Sequence, residues 1–143
     1  MFRRILVPLD GSERAEQVLD FASLEARAHD GTLILMRVIP PLRHTLMVTP
    51  ALMEDLVHHA NEIATDYLDG VAERLEAEGI WVEKELHTGL PAQRILEFAE
   101  NEGCDLIIIG SRGATGALQW QFGSVSSKVI RTRTSMPVMV VNT

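Results

Sequence analysis

The chain has one cysteine, Cys104, among 143 residues. A single thiol excludes an internal disulfide framework and suits a reducing compartment. Cys104 is therefore expected as a small buried apolar filler. No stretch approaches the roughly 18 apolar residues of a membrane span. The opening MFRRILVPLDGS has an apolar run broken by Pro8 and Asp10, too short for a secretory segment. A soluble, cytoplasmic protein without membrane association is expected. Positive charge is also scarce: 13 Lys and Arg stand against 20 Asp and Glu, a net charge of -7. Most of such a surface repels a phosphate polymer, which argues against nucleic-acid binding, although one small anion held by local donors remains compatible with it. The chain has no Gly-Lys pair for a Walker loop. After the first apolar run only Gly11 stands where the dinucleotide fingerprint needs three glycines. Internal repeats and low-complexity tracts are missing as well, and the length fits one domain over residues 1–143.

What is present is a regular alternation. Ile5 to Leu9 is a short apolar run; Asp10-Gly11-Ser12 follows, and then Ala15, Val18, Leu19, Ala22 and Ala26 at helical spacing. Ser12 is expected to cap that helix, with Glu13 and Glu16 in its first turn. Thr32 to Ile39 reads as a second strand. Pro40 to Pro50 reads as a mobile loop, in which the apolar residues 42–48 form a lid, a partner surface or a segment partly buried in a dimer. A long helix runs on to about Glu78, with a bend expected at Gly70. Strand three places Ile80, Val82 and Leu86 on one side and Glu83, Glu85 and His87 on the other, a charged pattern that suits a sheet edge. Pro91 opens a third helix, which ends at Gly103. Leu106 to Ile109 has no polar alternation, the pattern of a strand buried on both faces. A short helix striped by Val125, Val129 and Ile130, then Pro137 to Val141, completes the chain. Five strands alternating with four helices give an α/β fold: a single doubly wound parallel sheet with helices on both faces. With the charged strand at an edge and the fourth strand central, the expected order is 3-2-1-4-5.

In such sheets ligands bind beyond the carboxyl ends of the strands, where the winding reverses. That crevice is bordered by Asp10 after strand one and Gly110 after strand four. The loop from Gly110 reads Gly110-x-x-Gly113, nine residues, then Gly123-Ser124. Glycines let the backbone approach a ligand and turn amides toward it, and a helix opening at Ser124, Val125 and Ser126 presents unpaired N–H groups. Arg112 adds charge and the serines add hydroxyls. This donor set suits a phosphate chain.

The segments "ILVPLDGS" and "GLPAQRILEFAENEGCDLIIIGSRG", and the G-x-x-G-x9-G-S spacing leading to "PVMVVN", resemble the universal stress protein family over essentially the whole chain. The glycine spacing resembles that family's ATP-binding branch. The resemblance implies ATP, with or without Mg2+, held between strands one, two and four. By position Asp10, with Pro8 beside it, is similar to the family acid at the adenosine portion, and Val38 to the residue whose backbone meets adenine. Gly110, Arg112, Gly113, Gly123, Ser124, Val125 and Ser126 match the phosphate and ribose cradle. Ser127 departs from the glutamate of many relatives, and Gln119-Trp120-Gln121 departs from the usual loop. The resemblance also implies a homodimer through the last strand, and the apolar, uncharged stretch from Pro137 to Val141 supplies a physical reason at a sheet edge.

An ATP hydrolase needs an oriented water or base beside the terminal phosphate, and the cradle offers no carboxylate or histidine. A nucleotide-binding stress-response regulator with slow hydrolysis at most is expected, with a genuine ATPase as the alternative. A phosphoacceptor domain would want paired acids after strand one, an Asp after strand three and a lysine after strand five; Asp10 stands alone, His87-Thr88 ends strand three and Asn142-Thr143 ends strand five. His58 and His59 point about 100° apart on a helix, which suits a solvated face better than a shared ion.

Overall fold

The computed structural model describes residues 1–13, 15–42, 48–111, 125–132 and 134–143. The elements in chain order are β1 (Arg4–Pro8), α1 (Ala15–His29), β2 (Thr32–Ile39), α2 (Pro50–Ala77), β3 (Trp81–Thr88), α3 (Pro91–Asn101), β4 (Leu106–Gly110), α4 (Val125–Arg131) and β5 (Val138–Val141). All four strand pairings are parallel. The sheet order is β3-β2-β1-β4-β5, as the sequence pattern requires. β1 and β4 are therefore neighbours, although about a hundred residues separate them.

The unbroken apolar runs of the central strands serve two cores. Ile5, Val7, Leu33, Leu35 and Ile108 face α1 and α2, where they meet Val18, Ala22, Leu68 and Val71. Leu6, Ile34, Met36, Ile107 and Ile109 face α3 and α4, where they meet Ile95, Ala99, Val125 and Val129. A strand alternates its side chains between faces, so only a run without polar interruption can fill both. Each fully buried Ile or Leu contributes about 1.5–3 kcal/mol relative to leaving it exposed.

β3 behaves as its charges predict. Val82 and Leu86 pack on the α1/α2 core, and on the other face Glu83 pairs with Arg4 at 3.2 Å while His87 meets the edge of Phe98. Cys104 is buried in the α3/α4 core. α2 continues through Gly70, from Pro50 to Ala77. One local expectation changes. Ser12 does not cap α1: it stands three residues ahead of Ala15, and its hydroxyl is buried with no hydrogen-bond partner among the described residues. The chain is instead bent by Asp10, as the site geometry explains. Among the described residues no helix is long and apolar enough to cross a membrane. Residues 43–47 of the expected lid lie outside the described residues.

Candidate functional site

The site lies where β1 leaves the sheet. Leu9 N donates to Met36 O at 2.8 Å, and the turn beyond it carries the next amide in register, that of Gly11, away from β2. Gly11 has φ 85°, a left-handed conformation that glycine adopts without the Cβ penalty. Ser12 N closes the turn on Asp10 Oδ1 at 2.9 Å, an Asx turn. Asp10 is thereby folded inward and is only 2% exposed. β2 continues to Ile39, paired all the way with β3, so among the described residues no strand pairs with its β1-side edge past this point.

Arg37 fills that opening on the α1/α2 side. It is 7% exposed, its Nη1 donates to Val38 O at 2.9 Å, and a Cβ placed on Gly11 would stand 3.8 Å from its Nε. Burial pulls the guanidinium below its ordinary pKa, while the charge of Asp10, and then Tyr67 of α2, act to raise it again. A buried arginine stays charged and needs acceptors. Here Val38 O and the Asp10 carboxylate's field supply that environment.

On the far side of β1, β4 ends at Gly110, opposite Val141 of β5. Ser111 N donates to Val141 O at 2.8 Å, Thr143 N donates to Ser111 Oγ at 3.2 Å, and Ser126 Oγ donates to Ser111 O at 3.5 Å. The first turn of α4, with Val125 and Ser126 buried, is thus tied to the end of β4.

The expected site residues divide accordingly. Pro8 ends β1 opposite Met36, and Asp10 borders the mouth. Val38 is fully buried by side chain in the α3/α4 core, so only its backbone can meet a ligand. Gly110, Val125 and Ser126 come together across the β4–α4 junction. Arg112, Gly113, Gly123 and Ser124 lie outside the described residues, as does Gln119-Trp120-Gln121. Two residues at the strand ends were passed over by sequence reasoning, Arg37 and Ser111, and Ser12 was given a capping role instead. Arg37 had a visible signal, a lone charge inside the apolar strand TLILMRVI.

Among the described residues no three His, Cys, Asp or Glu side chains gather as an ion site. His58 Nε2 instead meets Glu62 Oε1 at 2.9 Å on an exposed stretch of α2. Asp10 is the carboxylate at the mouth, and one oxygen is already engaged by Ser12 N.

The sheet order defines a doubly wound α/β protein whose winding reverses between β1 and β4. The chain belongs to the universal stress protein family, whose model matches residues 1–142. It is 30% identical over 155 aligned positions to universal stress protein MJ0577 of Methanocaldococcus jannaschii, covering 99% of this chain and 95% of that one. The solved structure of MJ0577 superposes with a TM-score of 0.85, covering 100% and 97% of the two chains at 31% identity. The fold is also that of a universal stress protein in complex with cAMP (TM-score 0.69, 24% identity, 99% and 97% covered). A family protein of Arabidopsis thaliana with AMP bound shares it too (TM-score 0.72, 16% identity, 98% and 91% covered).

Proposed function

We propose that the chain is an adenine-nucleotide-binding regulatory protein that takes ATP at the mouth between β1 and β4 and hydrolyses it slowly at most. The observation that carries this reading is the early departure of β1. It leaves Val38 O without a strand-one amide, held instead by Arg37, next to the turn that carries the orphan Ser12 hydroxyl and the Asp10 carboxylate. A ligand that offers an amino group and ribose hydroxyls matches those acceptors and that hydroxyl. Family members of this fold solved with cAMP and AMP support extending nucleotide binding to this chain. The glycine spacing of residues 110–124, with Arg112, Gly113, Gly123 and Ser124 as phosphate donors, supports ATP within that class.

Slow turnover follows from the acid available. Asp10 Oδ1 accepts the Ser12 amide and lies at the adenosine end of the proposed site, away from a terminal phosphate that would need an oriented water. Any Mg2+ would be held chiefly by the nucleotide's own phosphates, which is ordinary for this ion. The test is to denature freshly purified protein and identify released nucleotide, then to titrate stripped protein with ATP, ADP and AMP by calorimetry. Released adenylate or saturable heat supports the reading. Neither, with all three nucleotides, overturns it, and turnover above about 1 s⁻¹ would place the protein among ordinary ATPases instead.

The proposed assembly is a homodimer through β5. This strand ends the sheet order, carries no charge and leaves Val140 39% exposed, so pairing with a second copy would cover an unguarded edge. Light scattering on a sizing column should give twice the 15.9 kDa chain mass; a monomer at micromolar concentration contradicts the proposal.

A further inference from the structure

The β1–β2 ladder stops one rung short. Leu9 N bonds Met36 O, and in a parallel ladder the acceptors on one edge of a strand are every second carbonyl. The next acceptor on the β1 side of β2 is therefore Val38 O, and the amide that would have met it belongs to Gly11. The opposite edge confirms the alternation, since Ile39 O faces β3 and accepts Gly89 N at 3.0 Å. Gly11 is turned away at φ 85°, yet Val38 O is not left to water. Arg37 Nη1 reaches it at 2.9 Å from a buried side chain on the same strand.

We infer that Arg37 is a positioning residue of the base subsite: its guanidinium replaces the missing strand-one amide and fixes the Val38 carbonyl at the mouth, ready for a purine's 6-amino group. The inference rests on the adenine-nucleotide reading proposed above. A carbonyl oxygen has two acceptor sites. Arg37 occupies one from the α1/α2 side and leaves the other for a ligand. The planar guanidinium matters here, because one N–H holds Val38 O while its charge stays within the field of Asp10. Asp10 is bent inward by its own Asx turn, so the two buried charges brace the strand end from which Val38 O projects. A fixed carbonyl discriminates between bases. A 6-amino group donates to it, whereas a 6-oxo group faces it acceptor to acceptor.

The experiment compares ATP with ITP, which differs at that position by an oxo group, on full-length wild type, Arg37→Met and Arg37→Lys. Wild type should prefer ATP. Arg37→Met should weaken ATP about tenfold, the worth of orienting one hydrogen bond, while ITP affinity stays the same. Arg37→Lys, which keeps charge and a donor but not the fork, should keep part of the preference and serves if the Met variant fails to fold. Equal weakening of both nucleotides would mean that Arg37 acts only on stability, and tighter ATP binding would make it a competitor of the base; either result overturns the inference. A readout without nucleotide separates this outcome from failure of the functional reading. The carbonyl carbon resonance of Val38 in the ligand-free protein should move in Arg37→Met, and an unmoved resonance overturns the inference. If it moves but wild type binds neither nucleotide, the adenylate proposal and its base subsite fall, and only the Arg37–Val38 brace remains.

Discussion

Replacing Asp10 tests whether the mouth is a coupled pair of buried charges or two independent side chains. Asp10 is 2% and Arg37 7% exposed, Asp10 Oδ1 holds the Ser12 amide at 2.9 Å, and the Asp10 charge acts directly on Arg37. Asp10→Ala removes the acceptor of a part-buried amide, which costs at most about 1–3 kcal/mol, and removes the negative charge that acts on a buried cation, for which the cost approaches that of breaking a buried pair, about 3–5 kcal/mol. The two losses overlap, because Arg37 keeps Val38 O and the turn can relax toward water. A total of about 3–5 kcal/mol is expected. Asp10→Asn keeps an oxygen for Ser12 N and removes only the charge that acts on Arg37, so about 1.5–3 kcal/mol should be lost, less than a fully broken buried pair because a polar side chain remains. In an Arg37→Met background the same Asn substitution should cost under about 1 kcal/mol, since no cation remains to be stranded. Urea denaturation of the four proteins measures the cycle, provided the slope m is unchanged. An Asp10→Asn penalty below about 0.5 kcal/mol, or one equal in both backgrounds, would refute the coupling.

Three further outcomes follow from single positions. Gly31→Ala would set a Cβ 2.5 Å from Phe2 O, a backbone atom that cannot step aside; the loss should be about 1–3 kcal/mol of unfolding free energy by urea denaturation. Gly70→Ala meets nothing within 4 Å on an uninterrupted stretch of α2, and should stabilise the protein by about 0.5–1 kcal/mol with a matching rise in Tm. Burial pushes the Cys104 thiol up to about 11, with Arg4 opposing and Asp105 and Glu102 adding to the rise. A raised thiol pKa means that the folded state holds its proton longer than the unfolded chain, so the Cys104 contribution is complete below pH 9 and is lost between pH 9 and 11. Wild type should lose about 2–3 kcal/mol more than Cys104→Ala across that window, and parallel pH profiles would contradict the assignment.

The sheet order could be read from the chain because two strands carry opposite signatures. LIIIG at β4 has no polar residue to face water, so it must be central, while WVEKELHT at β3 has too many charges to be anything but an edge. Each pattern is local and follows directly from burial. The mouth was less readable because its geometry depends on the residue at which β1 leaves the sheet. Asp10-Gly11-Ser12 predicted a turn but not its type. The Asx bond from Ser12 N to Asp10 Oδ1 uses the backbone of Ser12, whereas the sequence suggested its hydroxyl as a helix cap. The role of Arg37 depends on the same event. A lone arginine in an apolar strand signals an unusual environment, yet its partner Val38 O becomes available only once the Gly11 amide has been turned away.

That dependence separates the two ends of the proposed nucleotide site. At the β1–β2 end the polar groups are a carbonyl and a near-neutral pair of buried charges, Asp10 and Arg37, which can recognise a base but offer little attraction to a polyanion. At the β4–α4 end, Ser111 and Ser126 tie the loop's start to its finish, so amides from that region can address phosphates without disturbing the base end. The protein's net charge of -7 makes this division useful, because a repelled polyanion is held only where donors converge at short range and charge is screened beyond about 8–10 Å. Substitutions at Ser126 should therefore change ATP, ADP and AMP binding in an order set by phosphate number. Arg37 should leave that order intact and change only the choice of base.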